Sequence, residues 1–163
     1  VILPRGFSHK LLNDSKKMSE SSRLILRQII IEKATAWAIG MCDHHEIDRI
    51  NILNASFLAM HRAIEQLKIQ PELLIIDGNR FTPYPQINHK CVVGGDGIYT
   101  SIAAASVLAK TERDAFMDQL HEQFPQYGWD KNKAYATATH RDALIKYGIS
   151  PYHRKSFRLD YTL

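Results

Sequence analysis

The sequence predicts an α/β layered domain, and three observations carry that expectation. The run Glu72-Leu73-Leu74-Ile75-Ile76-Asp77 is short, apolar and closed by a carboxylate and Gly78, as expected of a buried strand whose end opens onto a cleft. Residues 54–69 space Phe57, Met60, Ile64 and Leu67 by three and four positions, the stripe of an amphipathic helix. Residues 101–124 continue the helical pattern over a longer stretch, and strands alternating with helices build layered α/β domains.

Each element follows from its local chemistry. Val1-Ile2-Leu3, stopped by Pro4, has the pattern of the last residues of a strand whose earlier part is absent from this chain. Residues 5–17 are polar and irregular. Ser19-Glu20-Ser21-Ser22 then supplies helix-start residues before Leu24, Ile25, Leu26, Ile29 and Ile30, predicting a buried helix. Residues 34–42 alternate partly at period two around Trp37 and Ile39, predicting a strand. The acids between Asp43 and Asp48 suit a helix start, where the dipole favours negative charge. The helix over 54–69 closes at Pro71, the strand over 72–77 follows, and residues 89–93 form another strand. The long helix carries Ala103-Ala104-Ala105-Ser106 early, so its first turns can lie close to a sheet, and Phe116, Leu120 and Phe124 share one face later. A last helix over 139–147, capped by Thr139 and stopped by Gly148 and Pro151, precedes a basic tail. With no repeats, linkers or low-complexity tracts, a single domain over 1–163 is expected.

Composition narrows the function classes. In 163 residues, 45% are hydrophobic and 23% charged, enough apolar material for one soluble core. Lys and Arg number 21 against 17 Asp and Glu, and the pI near 9.1 suits a polyanionic partner without requiring one. Cys42 and Cys91 stand far apart, which argues against a disulfide scaffold or zinc ribbon and fits a reducing, cytoplasmic compartment. No apolar run approaches the roughly 20 residues of a membrane helix. Cys42-Asp43-His44-His45-Glu46 gathers metal-capable side chains, but adjacent residues rarely converge on one ion. His61 and His121 lie inside helices and read as surface or packing residues.

Asp77 and Asp96 are the carboxylates best placed for chemistry. One ends a buried strand, and the other lies in Gly94-Gly95-Asp96-Gly97 just before the long helix, so both can face one cleft. Paired carboxylates hold hard cations such as Mg²⁺ or Mn²⁺, and two ions roughly 4 Å apart can stabilise the attacking and leaving oxygens of a phosphodiester. Turn and helix-start roles explain the same residues, and spacing alone leaves that plainer reading open. Asn13-Asp14-Ser15-Lys16-Lys17 offers a hydroxyl and two ammonium groups suited to phosphate, and equally suits a solvated loop. Lys131, Lys133, Tyr135, His140 and Arg141 interleave cations with a ring that can stack on a sugar or base, a theme repeated in His153-Arg154-Lys155-Ser156-Phe157-Arg158. The alternative places Tyr135 and Phe157 in the core, and for Phe157 that is the expectation.

Several long segments, read in order, closely resemble bacterial ribonuclease HII. They are Leu12-Asn13-Asp14-Ser15-Lys16-Lys17, Glu46-Ile47-Asp48-Arg49-Ile50-Asn51-Ile52-Leu53-Asn54-Ala55, Leu74-Ile75-Ile76-Asp77-Gly78-Asn79, Gly95-Asp96 with Ser101-Ile102-Ala103-Ala104-Ala105-Ser106-Val107-Leu108-Ala109-Lys110, and Pro151-Tyr152-His153-Arg154-Lys155-Ser156-Phe157. The resemblance implies a ribonuclease H-like mixed sheet flanked by helices, and an active site of four carboxylates holding two divalent metals, Mg²⁺ or Mn²⁺. Asp77 and Asp96 match the third and fourth of those carboxylates. Ser15 and Lys16 match a loop that contacts the substrate backbone, and Tyr135 matches a tyrosine that stacks near the sugar following the ribonucleotide. The implied activity is endonucleolytic cleavage of the RNA strand of RNA–DNA hybrids, and of duplex DNA 5′ to embedded ribonucleotides, by two-metal hydrolysis leaving 3′-hydroxyl and 5′-phosphate ends. It would serve removal of misincorporated ribonucleotides and RNA primers, by a cytoplasmic monomer with no membrane partner.

Three departures qualify the resemblance. The family's opening strand, bearing Asp-Glu-x-Gly-Arg-Gly, has no counterpart here, and Val1-Ile2-Leu3 corresponds to the end of the second strand. That strand supplies the first two carboxylates and the loop reading the ribose 2′-hydroxyl, so a gap in the sheet and half a metal-ligand set are expected. The alternative from another class is therefore a catalytically inactive nucleic-acid-binding fragment. Ala134 and Ala136 flank Tyr135 where the family usually has Gly at the first position and often at the second, and Gly94 stands where Lys is common.

Overall fold

A computed structural model describes residues 1–12 and 18–157. Residues 13–17, with Ser15 and Lys16, and residues 158–163, with Arg158 of the basic tail, lie outside the described residues. Helix α1, Glu20–Lys33, begins where Ser19 accepts the Ser22 N–H at 3.2 Å, and it buries Leu26 and Ile30 completely. Helix α2, His44–Glu65, opens with a reciprocal capping box: Glu46 N–H donates to Asp43 Oδ1 at 2.8 Å, and Asp43 N–H to Glu46 Oε2 at 3.1 Å. The acidic cluster is thus a helix start, and Arg62 engages Glu46 and the Cys42 sulfur, committing those metal-capable groups to structure. α2 breaks at Asn51, where φ 66° and ψ 165° interrupt the helix and the Asn51 side chain caps Asn54 N–H at 3.1 Å. The helix expected from residue 54 is the second segment of this kinked element. Its Phe57, Met60 and Ile64 pack on Leu74, Ile76 and Phe81 as the stripe requires.

Strands β1, Leu73–Asp77, and β2, Asn88–Val92, pair in parallel with Asp77 opposite Val92. A single 3₁₀ turn, Gly95–Gly97, leads into helix α3, Thr100–Gln123. Ala103, Ala104, Val107 and Leu108 of α3 are buried against Leu26 and Ile30 of α1, and small side chains let the two helices approach closely. The short helix α4, Trp129–Asn132, and helix α5, Ala138–Tyr147, follow, and Trp129, Ala143 and Leu144, with Tyr127 of the turn before α4, pack onto Met117 and Leu120. Thr137 caps α5 through His140 N–H, displacing by two residues the cap expected at Thr139.

The strand expected over 34–42 is reduced to one antiparallel bridge between Ile2 and Ala36. Beyond Ala36 the chain leaves the sheet for α2. Gly40 sits so close that a Cβ there would lie 1.9 Å from the Ala59 carbonyl oxygen, so helix contact replaces pairing. Between this bridge and β1 lies a groove of about 1170 Å³, walled by Ile2, Leu3, Leu73 and Ile75 and floored by Ala105 and Ala109. β2 does not line it, so the groove follows the edge of β1 opposite β2. The described residues form an α/β fold with a two-stranded parallel sheet and an antiparallel bridge across that groove. No helix among them is long and apolar enough to cross a membrane.

The segment after α5 returns to the start of α2. Asp48 accepts Lys155 N–H at 2.8 Å, Ser156 N–H at 2.9 Å and the Ser156 hydroxyl at 2.6 Å, bonds led by Ser156 that hold its carboxyl down at about 2. His153 stacks at 5.4 Å on His140, and its Nδ1 accepts Ser150 N–H at 2.9 Å. Burial, reinforced by the His140 charge, lowers His153 to about 4 from an ordinary 6.5. The folded ring therefore refuses a proton that the unfolded chain takes up, and stability should fall as pH drops from about 6.5 towards about 4. Thermal melts across that range should show a declining Tm, and His153→Gln should flatten the decline. A Tm as steep in H153Q as in the unaltered chain would show that other groups govern it.

Candidate active site

Parallel pairing delivers Asp77 to the carboxyl end of β1, the end at which open α/β sheets present ligand-binding groups. Gly78 N–H donates to Val92 O at 2.9 Å, extending the pairing just past the carboxylate and fixing where it emerges. The chain leaving β2 turns through Gly94, whose φ of 68° costs glycine nothing sterically, and brings Gly95 N–H to Asp77 Oδ1 at 2.9 Å. That bond anchors the turn whose next residue is Asp96 to the carboxylate of Asp77. The 3₁₀ turn hands over to α3 through Tyr99 N–H to Gly95 O at 2.8 Å, so Asp96 sits just ahead of a helix N-terminus, whose dipole favours its negative charge. Asp77 is exposed at the groove, while Asp96 is half-buried and lines a small crevice with Leu12, Thr100 and Ala103.

The structure therefore ties the turn that carries Asp96 to Asp77 through the Gly95 amide, while the two carboxylates line neighbouring hollows, Asp77 the groove and Asp96 the crevice. Hard oxygen donors of this kind suit Mg²⁺ or Mn²⁺. Among the described residues no three His, Cys, Asp or Glu side chains converge on a possible ion.

Tyr135 is carried by a different element, the loop between α4 and α5. Its ring is 61% exposed, which overturns the core reading. The loop is held in an unfavourable conformation, with Lys133 at φ 45° and Ala134 at φ 62°, left-handed values that cost a side-chain-bearing residue about 1 kcal/mol or more. Glycine adopts this conformation freely, which explains why Gly suits position 134. Asn132 ties the turn by accepting Ala134 N–H at 2.8 Å on its side chain and Tyr135 N–H at 2.8 Å on its carbonyl. From α3, Lys133 is paired with Asp118, and Arg113 donates to the Lys133 carbonyl at 2.7 Å while lying 5.0 Å from the centre of the Tyr135 ring. Sequence reading missed Arg113, whose partners lie twenty or more positions away with no local signal. Phe157, expected in the core, is 37% exposed, and Arg154 covers its ring at 3.6 Å. Burial, together with the nearby Arg113 charge, pulls Arg154 below its usual range.

Comparison with known proteins adds a family. The profile of the Ribonuclease HII family matches residues 6–162. The chain is 57% identical over 159 residues to the Ribonuclease HII of Bacteroides thetaiotaomicron, covering 98% of this chain and 80% of that protein. Against the Ribonuclease HII of Parabacteroides distasonis the figure is 60% over 159 residues, with 98% and 80% covered. The Ribonuclease HII of Porphyromonas gingivalis is 58% identical over 158 residues, 97% of this chain and 79% of that one. The crystal structure of the ribonuclease H2 from Pyrococcus horikoshii OT3 superposes with a TM-score of 0.78 at 18% identity, covering 91% of this chain and 77% of its own, a likeness of fold.

Two substitutions test this geometry. A Cβ on Gly95 would lie 2.6 Å from the buried Ile102 Cδ1 and 3.6 Å from Asp77 Oδ1. Gly95→Ala should therefore displace the turn, cost about 1–3 kcal/mol in urea unfolding, and weaken Mn²⁺ binding by calorimetry. Unchanged stability and unchanged binding together would show that the Gly95–Asp77 contact sets nothing. Ala134→Gly should relieve the left-handed strain and raise unfolding stability by up to about 1 kcal/mol, whereas a loss would mean the loop is not held as described.

Proposed function

The chain belongs to the ribonuclease HII family and is by that membership an enzyme of the ribonuclease H class, a nuclease; from this premise we propose how it cuts and what it recognises. The substrate is an RNA–DNA hybrid, or duplex DNA with embedded ribonucleotides. The reaction is hydrolysis of the phosphodiester 5′ to a ribonucleotide, giving 3′-hydroxyl and 5′-phosphate ends. The observation that carries the proposal is the hydrogen bond from Gly95 to Asp77, which ties the turn carrying Asp96 to a carboxylate that lines the groove.

Asp77 and Asp96 would hold divalent cations, Mg²⁺ or Mn²⁺. Bound there, two such ions would supply the positive charge that stabilises the attacking and leaving oxygens. The protein's part is to orient: β1 and the 3₁₀ turn fix both carboxylates, and the close packing of α3 keeps the turn from shifting. Tyr135 would stack on a sugar of the duplex, and Ser15 and Lys16 would contact its backbone, roles that rest on the family resemblance. The groove along β1 is a fitting seat for a strand bearing Asp-Glu-x-Gly-Arg-Gly, which would complete the carboxylate set and read the 2′-hydroxyl. Residues 1–163 belong to a single domain, which that strand would complete, and the completed protein would act as a cytoplasmic monomer in the removal of ribonucleotides and primers from DNA. The alternative of an inactive nucleic-acid-binding fragment draws no support from the relatives, which carry the enzyme's name.

The test is cleavage of a labelled duplex with one embedded ribonucleotide, with Mg²⁺ or Mn²⁺, by the chain and by a form carrying the Asp-Glu-x-Gly-Arg-Gly strand ahead of Val1. The extended form should cut 5′ to the ribonucleotide. Asp77→Asn and Asp96→Asn should each slow it on the order of a hundredfold or more, since several kcal/mol of charge stabilisation is lost. Binding without cleavage by a folded extended form would favour the inactive alternative. Full activity in D77N would remove Asp77 from the metal set.

A further inference from the structure

We propose that Arg113 is a positioning residue for substrate recognition, which holds Tyr135 in the orientation in which its ring meets the duplex. The inference rests on the reading of Tyr135 as a substrate contact, and it adds the residue on which that contact depends. An exposed tyrosine on a loop would ordinarily sample several rotamers, and a stacking contact made from such an ensemble loses affinity to the entropy of ordering it. Here one guanidinium acts on the loop at two points. Its Nη2 donates to the Lys133 carbonyl at 2.7 Å, and its Cζ lies over the Tyr135 ring, 5.0 Å from the ring centre. The first contact fixes the backbone two residues before the tyrosine, and the second fixes the ring.

The strain in the loop gives this tether a purpose. Lys133 and Ala134 both sit at positive φ, so the turn relaxes unless something opposes it. The opposition comes largely from α3, through Arg113 and through Asp118 with Lys133, while Asn132 closes the turn from within. The same helix begins at the turn carrying Asp96, so the tyrosine and the carboxylate are referred to one rigid element. Arginine suits the task where lysine does not. A planar guanidinium can cover a ring and donate sideways to a carbonyl at once, whereas an ammonium on a flexible stem cannot hold both geometries.

The experiment uses the full chain and fluorescence anisotropy with a duplex containing one ribonucleotide, without divalent metal, so that nothing is cut. Arg113→Lys keeps the charge and loses the plane, and Arg113→Gln keeps a donor and loses the charge. Amide exchange at Tyr135 should rise several-fold in both variants with the melting transition retained; unchanged exchange there would overturn the tether. Tyr135→Ala should weaken binding about tenfold, the scale of one lost stacking contact. Each Arg113 substitution should weaken it several-fold alone and not at all in the Tyr135→Ala background, because both changes remove the same contact. Equal losses in the two backgrounds, or a salt slope shallower by about one contact in R113Q, would mean that Arg113 touches a phosphate itself and the positioning role is wrong. An unchanged affinity in Y135A would instead sink the reading of Tyr135, even where the exchange data show that Arg113 holds it.

Discussion

The burial of α3 against α1 is the constraint from which the placement of both candidate contacts follows. Ala104 and Leu108 are essentially without solvent exposure, as are Leu26 and Ile30 across the interface, and the alanines allow an approach that longer side chains would prevent. A helix so enclosed cannot roll or slide without opening a void, and voids in tightly packed cores are costly. The turn at its start carries Asp96 and presents the Gly95 amide to Asp77. Further along, Arg113 and Asp118 reach out to the loop of Tyr135. A single packed interface thus sets the frame for a carboxylate and an aromatic ring that belong to different parts of the chain.

The sheet is the complementary element, and it is thin. β1 is paired on one side and faces a groove on the other, so its second row of backbone donors and acceptors is available to an extended partner. The walls of that groove are largely aliphatic and its mouth is acidic at Asp77. A segment that both paired with β1 and filled the aliphatic space would turn two neighbouring layers into one core. The carboxylate would then sit at a junction between strands, where backbone pairing fixes side-chain positions more tightly than any loop can.

Much of the fold was legible in the sequence because its signals are local. The strand ending at Asp77, the long helix after Asp96 and the helix start at Asp43 follow from spacing and from the dipole's preference for acids, although the reciprocal capping box at Asp43 became visible only in the structure. What was not legible depended on distant partners. Residues 34–42 alternate as a strand should, yet the backbone of Gly40 is drawn onto α2 and only Ala36 pairs. Phe157 is apolar enough for a core, but Arg154 covers it at the surface. Of the candidate site, Asp77 and Asp96 were visible as carboxylates at element ends, while the bond from the Gly95 amide to Asp77 was not. Arg113 gave no signal, since its role exists only once α3 and the loop near residue 133 lie side by side.

The clasp between Asp48 and Ser156 spans 108 residues, and Lys155 reaches the same carboxylate across 107. Loop closure over such a distance comes late in folding, because its entropy must be met before the contact returns anything. During synthesis, the first turns of α2 leave the ribosome long before their anchor exists. Until α5 and the segment after it have emerged, none of the three bonds from Lys155 and Ser156 to Asp48 can form. The clasp therefore closes over the start of α2 only after the residues through Ser156 have been made, so the N-terminal half of α2 depends on a segment synthesised more than a hundred residues later.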